Sequence, residues 1–234
     1  YPLYETNVPF IFMNSVGLHR DLVTMVHEGG HAIHSFLDFD LELPEFKSPP
    51  SEVAELASMS MELLSMEHWD VFFSSEEELK RARRQQLESV MDTLPWIAAI
   101  DKFQHWIYEN PAHTLEQRAE NWTKILNEFS PKMIDTTGLE AYRKYSWQRQ
   151  LHLFEVPFYY IEYGIAQLGA IGLWMQYKKN PQLALNDYIK ALSLGGTKTL
   201  PELYAAAGLK FDFSPLHIKE LMEFVQKEYN TLLQ

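Results

Sequence analysis

Apolar positions along the chain recur mainly at steps of three and four, the spacing of one helical face. The pattern predicts helices over about 21–37, 51–69, 74–94, 114–129, 138–150, 158–178, 181–194, 199–207 and 214–233. Pro95 ends or kinks the third of these, and helix resumes through "WIAAIDKFQHWIYE" to the break at "NPAH". Ser51 is placed to cap the second helix. The third opens on serine, sets acids in its first turn and bases later, an order that suits the helix dipole. Pro157 breaks the chain before Phe158, so His152 is expected to come from a loop. "VPFIF" (8–12) reads as a short extended opening, and no alternating pattern of any length follows it. The expected fold is mostly α, one domain over residues 1–234, with at most a small β element near the N-terminus.

The most apolar stretch, "FYYIEYGIAQLGAIGLWM" (158–175), carries Glu162 and Gln167, which suits a buried core helix better than a membrane span. Of 234 residues, 46% are hydrophobic, enough for a sizeable core. The 32 acidic residues outnumber the 20 basic ones, for a net charge of -12. That field repels phosphate backbones and anionic bilayers, so neither nucleic acid nor membrane is expected as a partner. Cysteine is absent, so any metal must be held by histidine and carboxylate, and a cytoplasmic location is expected.

The chemistry starts at "MVHEGGHAIH" (25–34). His27 and His31 are four apart, so a helix points both imidazoles at one ion. Glu28 is turned by about 100° from His27, beside an ion rather than on it, where a general base for a bound water belongs. Gly29 and Gly30 each cost about 1 kcal/mol inside a helix, so close approach of a ligand or a neighbouring backbone should compensate. The long zincin motif needs glycine at 34 and histidine at 37; this chain has His34 and Leu37. A third ligand must come from elsewhere.

The next helix, "SEVAELASMSMELLSM", supplies one. Val53, Leu56, Ala57, Ser60 and Leu64 share a face; Glu55, Ser58, Met59, Glu62 and Met66 share the opposite one. Both faces are largely apolar, so the helix is expected to be buried on both sides. Glu55 and Glu62 then become buried carboxylates, costly unless paired or coordinated. Glu55 is assigned to the metal and Glu62 to the outer nitrogen of a ligand histidine. A salt bridge to an arginine is the alternative for Glu55. His19, His34, His68, His105, His113 and His217 show no partner pattern and are expected to be packed or solvated.

"HEGGHAIHSF" followed by "ELASMSME" resembles the oligoendopeptidase F branch of the thimet oligopeptidase family. That family shows His-Glu-x-Gly-His, then a Glu with Ser three later and Glu seven later, as at Glu55, Ser58 and Glu62. "RQLHLFEVPFYYIEYGIAQLGA", "ALSLGGTKTLPELYAAAGL" and "VPFIFMN" are similar to further family segments in the same order. The resemblance implies a zincin-like helical catalytic domain, the C-terminal part of the family fold, without the long helical region that family members carry before it. It implies a zinc endopeptidase that cuts short peptides, with one zinc per chain on His27, His31 and Glu55, and Glu28 as general base. It further implies oxyanion donors among His152, Tyr159 and Tyr163; Tyr160 is adjacent, and which tyrosine points inward stays open. Two other readings stay open too: a zinc exopeptidase, and a non-catalytic helical interaction domain or incomplete fragment.

Overall fold

Helix α1 spans His19–Leu37 and starts two residues before the pattern predicts. Asp21 explains the early start. Its Oδ2 accepts from the backbone N–H of Val16 and Leu18, both at 2.8 Å, and from Ser15 Oγ at 3.1 Å. One carboxylate thus satisfies donors that the first turn leaves open and lies where the helix dipole favours negative charge. The structure is a computed structural model that describes Leu3, Thr6 and residues 8–233.

Helix α2 spans Ser51–Leu64 and passes into a 3-10 helix over Ser65–Phe72. Its N-cap is Pro50, and no side chain caps it, so Ser51 lies inside the helix instead of before it. The Pro50 ring fixes φ, here -53°, and with ψ at 144° the chain enters the first turn without a capping role for Ser51. As expected, α2 is buried nearly all round: Val53, Leu56, Ala57, Ser58, Ser60 and Leu63 are all at or below 1% exposure.

Helix α3 spans Glu76–Glu109 with Pro95 inside it, so the proline does not end it. Helix α4 spans Leu115–Phe129 behind a Thr114 capping box. The single helix expected over 138–150 is instead α5, Glu140–Lys144, then a 3-10 helix over Ser146–Arg149. The indole of Trp122 explains this. It donates to the Arg143 carbonyl at 2.9 Å and to Ser146 Oγ at 3.0 Å, taking a carbonyl that a longer helix would need for itself. His152 lies not in a loop but on a single short turn, α6, His152–Glu155. Phe158 then takes a φ of +62°, rare for an aromatic residue, and its N–H donates to Gln104 Oε1 at 3.0 Å. Helices α7 (Tyr160–Lys179), α8 (Pro181–Leu192), α9 (Leu200–Ala206) and α10 (Pro215–Thr231) complete the chain.

No strand occurs among the described residues, and residues 8–16 form neither helix nor strand. The β element allowed for near the N-terminus is therefore not found there; a strand needs a partner strand. Among the described residues no helix is long and apolar enough to cross a membrane.

The chain forms two compact units, Tyr1–Glu88 with Ile165–Gln234, and Ser89–Gly164. In the first, α1 packs on α2. Gly30 permits it: a Cβ there would lie 2.6 Å from Ser58 Cα and 2.7 Å from the Ala57 carbonyl oxygen. In the second, Phe103, Trp122 and Trp147 pack with Ile100 in a hydrophobic core, with Phe103 5.1 Å from Trp122 and 5.4 Å from Trp147 between ring centres.

Candidate metal centre

Three side chains of the first unit meet across the α1–α2 contact. His27, His31 and Glu55 each offer a ligand atom, and these atoms lie within 4.8 Å of one another. His27 Nε2 is 3.4 Å from Glu55 Oε2, and His31 Nε2 is 3.8 Å from the same oxygen. Tetrahedral donors at about 2.0–2.1 Å from one ion would stand roughly 3.4 Å apart. The residues present therefore fit a small divalent cation held by two histidines and a carboxylate.

The α-helix explains the pairing. His27 and His31, one turn apart, keep their ring centres 5.0 Å apart with planes at 84°. Glu55 is 7% exposed, and Ser58 Oγ donates to its Oε2 at 3.0 Å. Tyr188, buried on α8, donates its hydroxyl to the Ala57 carbonyl at 2.7 Å, close to where Gly30 touches α2.

Electrostatics favour a cation between these donors. Burial opposes charge on His27, but hydrogen bonds and charge from Glu55 and Glu62 outweigh it and push its pKa well above the imidazole range. Burial would raise Glu55, yet the hydrogen bond to His27 holds it below the usual carboxylate range. His31 goes the other way, because burial lowers its pKa and keeps it neutral, the form a metal ligand needs.

Glu62 meets its expected partner. Its Oε1 is 2.6 Å from His27 Nδ1. A carboxylate can only accept, so Nδ1 carries a proton; with no ion bound Nε2 carries one as well, directed at Glu55, and that second proton is the one a cation would displace. The other oxygen of Glu62 accepts from Gln86 Nε2 at 2.7 Å, a contact the sequence did not announce. Its one signal is a polar residue set among the buried Leu79, Ala82 and Leu87. Glu28 is half-buried, and its charge acts on His31. The two glycines part ways: Gly30 is the close approach, whereas a Cβ at Gly29 would meet nothing within 4 Å.

The second unit brings His152, Tyr159, Tyr160 and Tyr163 together. Ring centres of the three tyrosines lie 5.8, 5.1 and 5.6 Å from that of His152. Among these, the Tyr163 hydroxyl is 3.3 Å from His152 Nε2. Gln150, which sequence reasoning missed, fixes the histidine. Trp96 Nε1 donates to Gln150 Oε1 at 3.1 Å, and Gln150 Nε2 lies 2.7 Å from His152 Nδ1. An indole N–H only donates, so the amide must face it with oxygen and present N–H to the imidazole. Nδ1 of His152 therefore accepts, and Nε2 carries the proton.

Comparison with known proteins gives a consistent picture. The family described as peptidase family M3 matches residues 2–222. The chain is 25% identical over 187 residues to an oligoendopeptidase F homolog of Borreliella burgdorferi, across 76% of this chain and 30% of that protein. It is 26% identical over 207 residues to oligopeptidase PepF of Bacillus subtilis, across 88% of this chain and 31% of that protein. A solved structure of PZ peptidase A with inhibitor 2 is similar at a TM-score of 0.89 and 31% identity, over 97% of this chain and 40% of that one. The chain thus spans well under half the length of these relatives.

Proposed function

The chain belongs to peptidase family M3, and from that premise we propose that it carries the catalytic centre of a zinc endopeptidase acting on short peptides. The observation that carries this reading is the His27–His31–Glu55 set, in which the two nitrogens lie 3.4 and 3.8 Å from one carboxylate oxygen, near the edge length of a tetrahedral site. Two imidazoles and one carboxylate form a common donor set for catalytic zinc, with one position left open for water or substrate. Zinc there would supply Lewis acidity, polarising a carbonyl oxygen and lowering the pKa of water.

The protein's own groups supply the rest. Glu28, one residue round the helix from His27, takes the proton of the attacking water and passes it to the leaving amine. Its negative charge beside His31 suits a base that must hold a proton briefly. The oxyanion needs further donors. On the family resemblance these are His152 and Tyr163, with Tyr159 and Tyr160 in the same aromatic group. His152 is suited to donate because Gln150 leaves its proton on Nε2. Tyr163 accepts from that nitrogen, and a phenol that accepts through its oxygen donates more strongly through its proton.

The test is metal content together with hydrolysis of an internally quenched, end-blocked peptide, for the chain and for Glu28→Gln. The expected result is one zinc per chain in both proteins and cleavage that drops by about 10²–10⁴-fold in the variant. Zinc with no cleavage in either protein sinks the catalytic reading for this chain alone. Cleavage that requires a free terminus points to an exopeptidase. A chain that takes up no zinc removes the reading altogether.

A further inference from the structure

Gln86 is a buried amide with a single described task. It is 2% exposed, on the stretch of α3 where Leu79, Ala82 and Leu87 are also buried. An amide in such surroundings costs free energy unless hydrogen-bonded. Its Nε2 reaches Glu62 Oε2 at 2.7 Å, while Glu62 Oε1 is 2.6 Å from His27 Nδ1. Three side chains from α3, α2 and α1 thus form one line that ends at a metal-ligating imidazole. One helical turn before Gln86, Arg83 donates to the Met66 carbonyl at 2.9 Å and the Glu67 carbonyl at 3.3 Å. That clamp ties α3 to the 3-10 helix that follows α2, so the amide is delivered from a fixed backbone.

We propose that Gln86 is a positioning residue for the metal centre, acting through Glu62 on His27. The argument concerns rotational freedom. The terminal torsion of a glutamate is broad, so one hydrogen bond to His27 leaves the carboxylate plane loosely defined. A second bond, to the other oxygen, fixes that plane. The fixed carboxylate holds the Nδ1–H of His27 in line and aims the Nε2 lone pair at the position shared with Glu55 Oε2, 3.4 Å away. An apolar residue of the same shape would keep the packing and lose the aim. A residue that only filled space would act on zinc affinity independently of Glu62. This inference rests on the reading of His27 as a zinc ligand.

The experiment is zinc affinity by competition with a chromophoric chelator at pH 7.5, for the 234-residue chain, Gln86→Met, Glu62→Gln and the double variant. Far-UV circular dichroism checks that each is folded. The expected result is a dissociation constant raised about tenfold by Gln86→Met, at the lower end for groups that orient ligands. In the Glu62→Gln background the same change should move it less than about twofold, because the path is already cut. Equal losses in both backgrounds overturn the proposal, and so does an unchanged affinity in the first. If Gln86→Met does not fold, Gln86→Asn replaces it in the cycle, since its amide is drawn back by one methylene and falls short of Glu62. Absence of zinc on the parent chain overturns the metal reading itself, whereas zinc on the parent with no effect of Gln86 overturns this inference alone.

Discussion

His27 meets a carboxylate at Nδ1, and His152 meets an amide at the same atom. Glu62 accepts, so His27 keeps its proton on Nδ1, and Nε2 is the atom that offers a lone pair once a cation displaces its proton. Gln150 donates, so His152 gives up its lone pair at Nδ1 and offers a proton at Nε2. The side chain is the same, and the outward atom has opposite character. One suits a metal ligand and the other an oxyanion donor. The lesson is that a histidine's tautomer is set one residue away, by an inner neighbour that must accept, as a carboxylate does, or that is turned to donate, as an amide held by an indole is.

A third histidine tests how far partners, rather than burial, control protonation. His34 is 3% exposed, bonds only to the Leu192 backbone, and has no partner at Nε2. Burial pushes its pKa down to about 4 from 6.5. The folded chain resists this proton and the unfolded chain accepts it. The stabilising contribution is therefore complete above pH 6.5 and is lost as the pH falls towards 4. The expected loss is about 3 kcal/mol across that window. Denaturant unfolding of the parent and His34→Gln should show that difference narrowing by this amount as the solution is acidified; parallel curves would mean that His34 is not held neutral.

The comparison would be broken more bluntly at Gly30. A methyl group there must displace the α2 backbone, since Ser58 Cα and the Ala57 oxygen stand within 2.7 Å of it. Gly30→Ala should cost about 2 kcal/mol net of its better helix propensity. It should also weaken zinc binding, because Glu55 rides on the displaced helix. A thermal melt with a zinc titration checks both, and an unchanged affinity would mean the ligand set tolerates separation of the helices. The finest adjustment is at Gln150. Gln150→Leu frees the tautomer of His152, and kcat/KM on the quenched peptide should fall about tenfold, roughly 1.4 kcal/mol, with zinc content unchanged. Full activity would show that the Nε2 proton of His152 is not used.

The grouping of His27, His31 and Glu55 was legible because its signals are local. His27 and His31 share a helix, so spacing alone pairs them, and Glu55 and Glu62 stood out as carboxylates on a helix apolar all round. The amides Gln86 and Gln150 have no such signature. Each matters through a partner brought near by packing, 24 positions from Glu62 in one case and 54 from Trp96 in the other. The fold divides in the same way. Helices α1 and α2 followed their apolar periodicity, while the region around 138–159 did not, because the Trp122 indole and the left-handed Phe158 answer to tertiary contacts. Of the two outcomes open at Pro95, an end is ruled out: the proline sits inside a 34-residue helix.

Gly29 gives the site a practical use. Its Cα faces open space one residue from Glu28 and two from each histidine of the pair, and the chain has no cysteine. A single thiol placed there would be unique in the protein and would relieve the helix of a glycine, a gain of about 0.5–1 kcal/mol set against cysteine's own modest propensity. It would carry a fluorophore or spin label to the edge of the His27–His31–Glu55 group without replacing any of its side chains. Of two neighbouring glycines, one is the hinge pin of the scaffold and the other is a ready socket for a reporter.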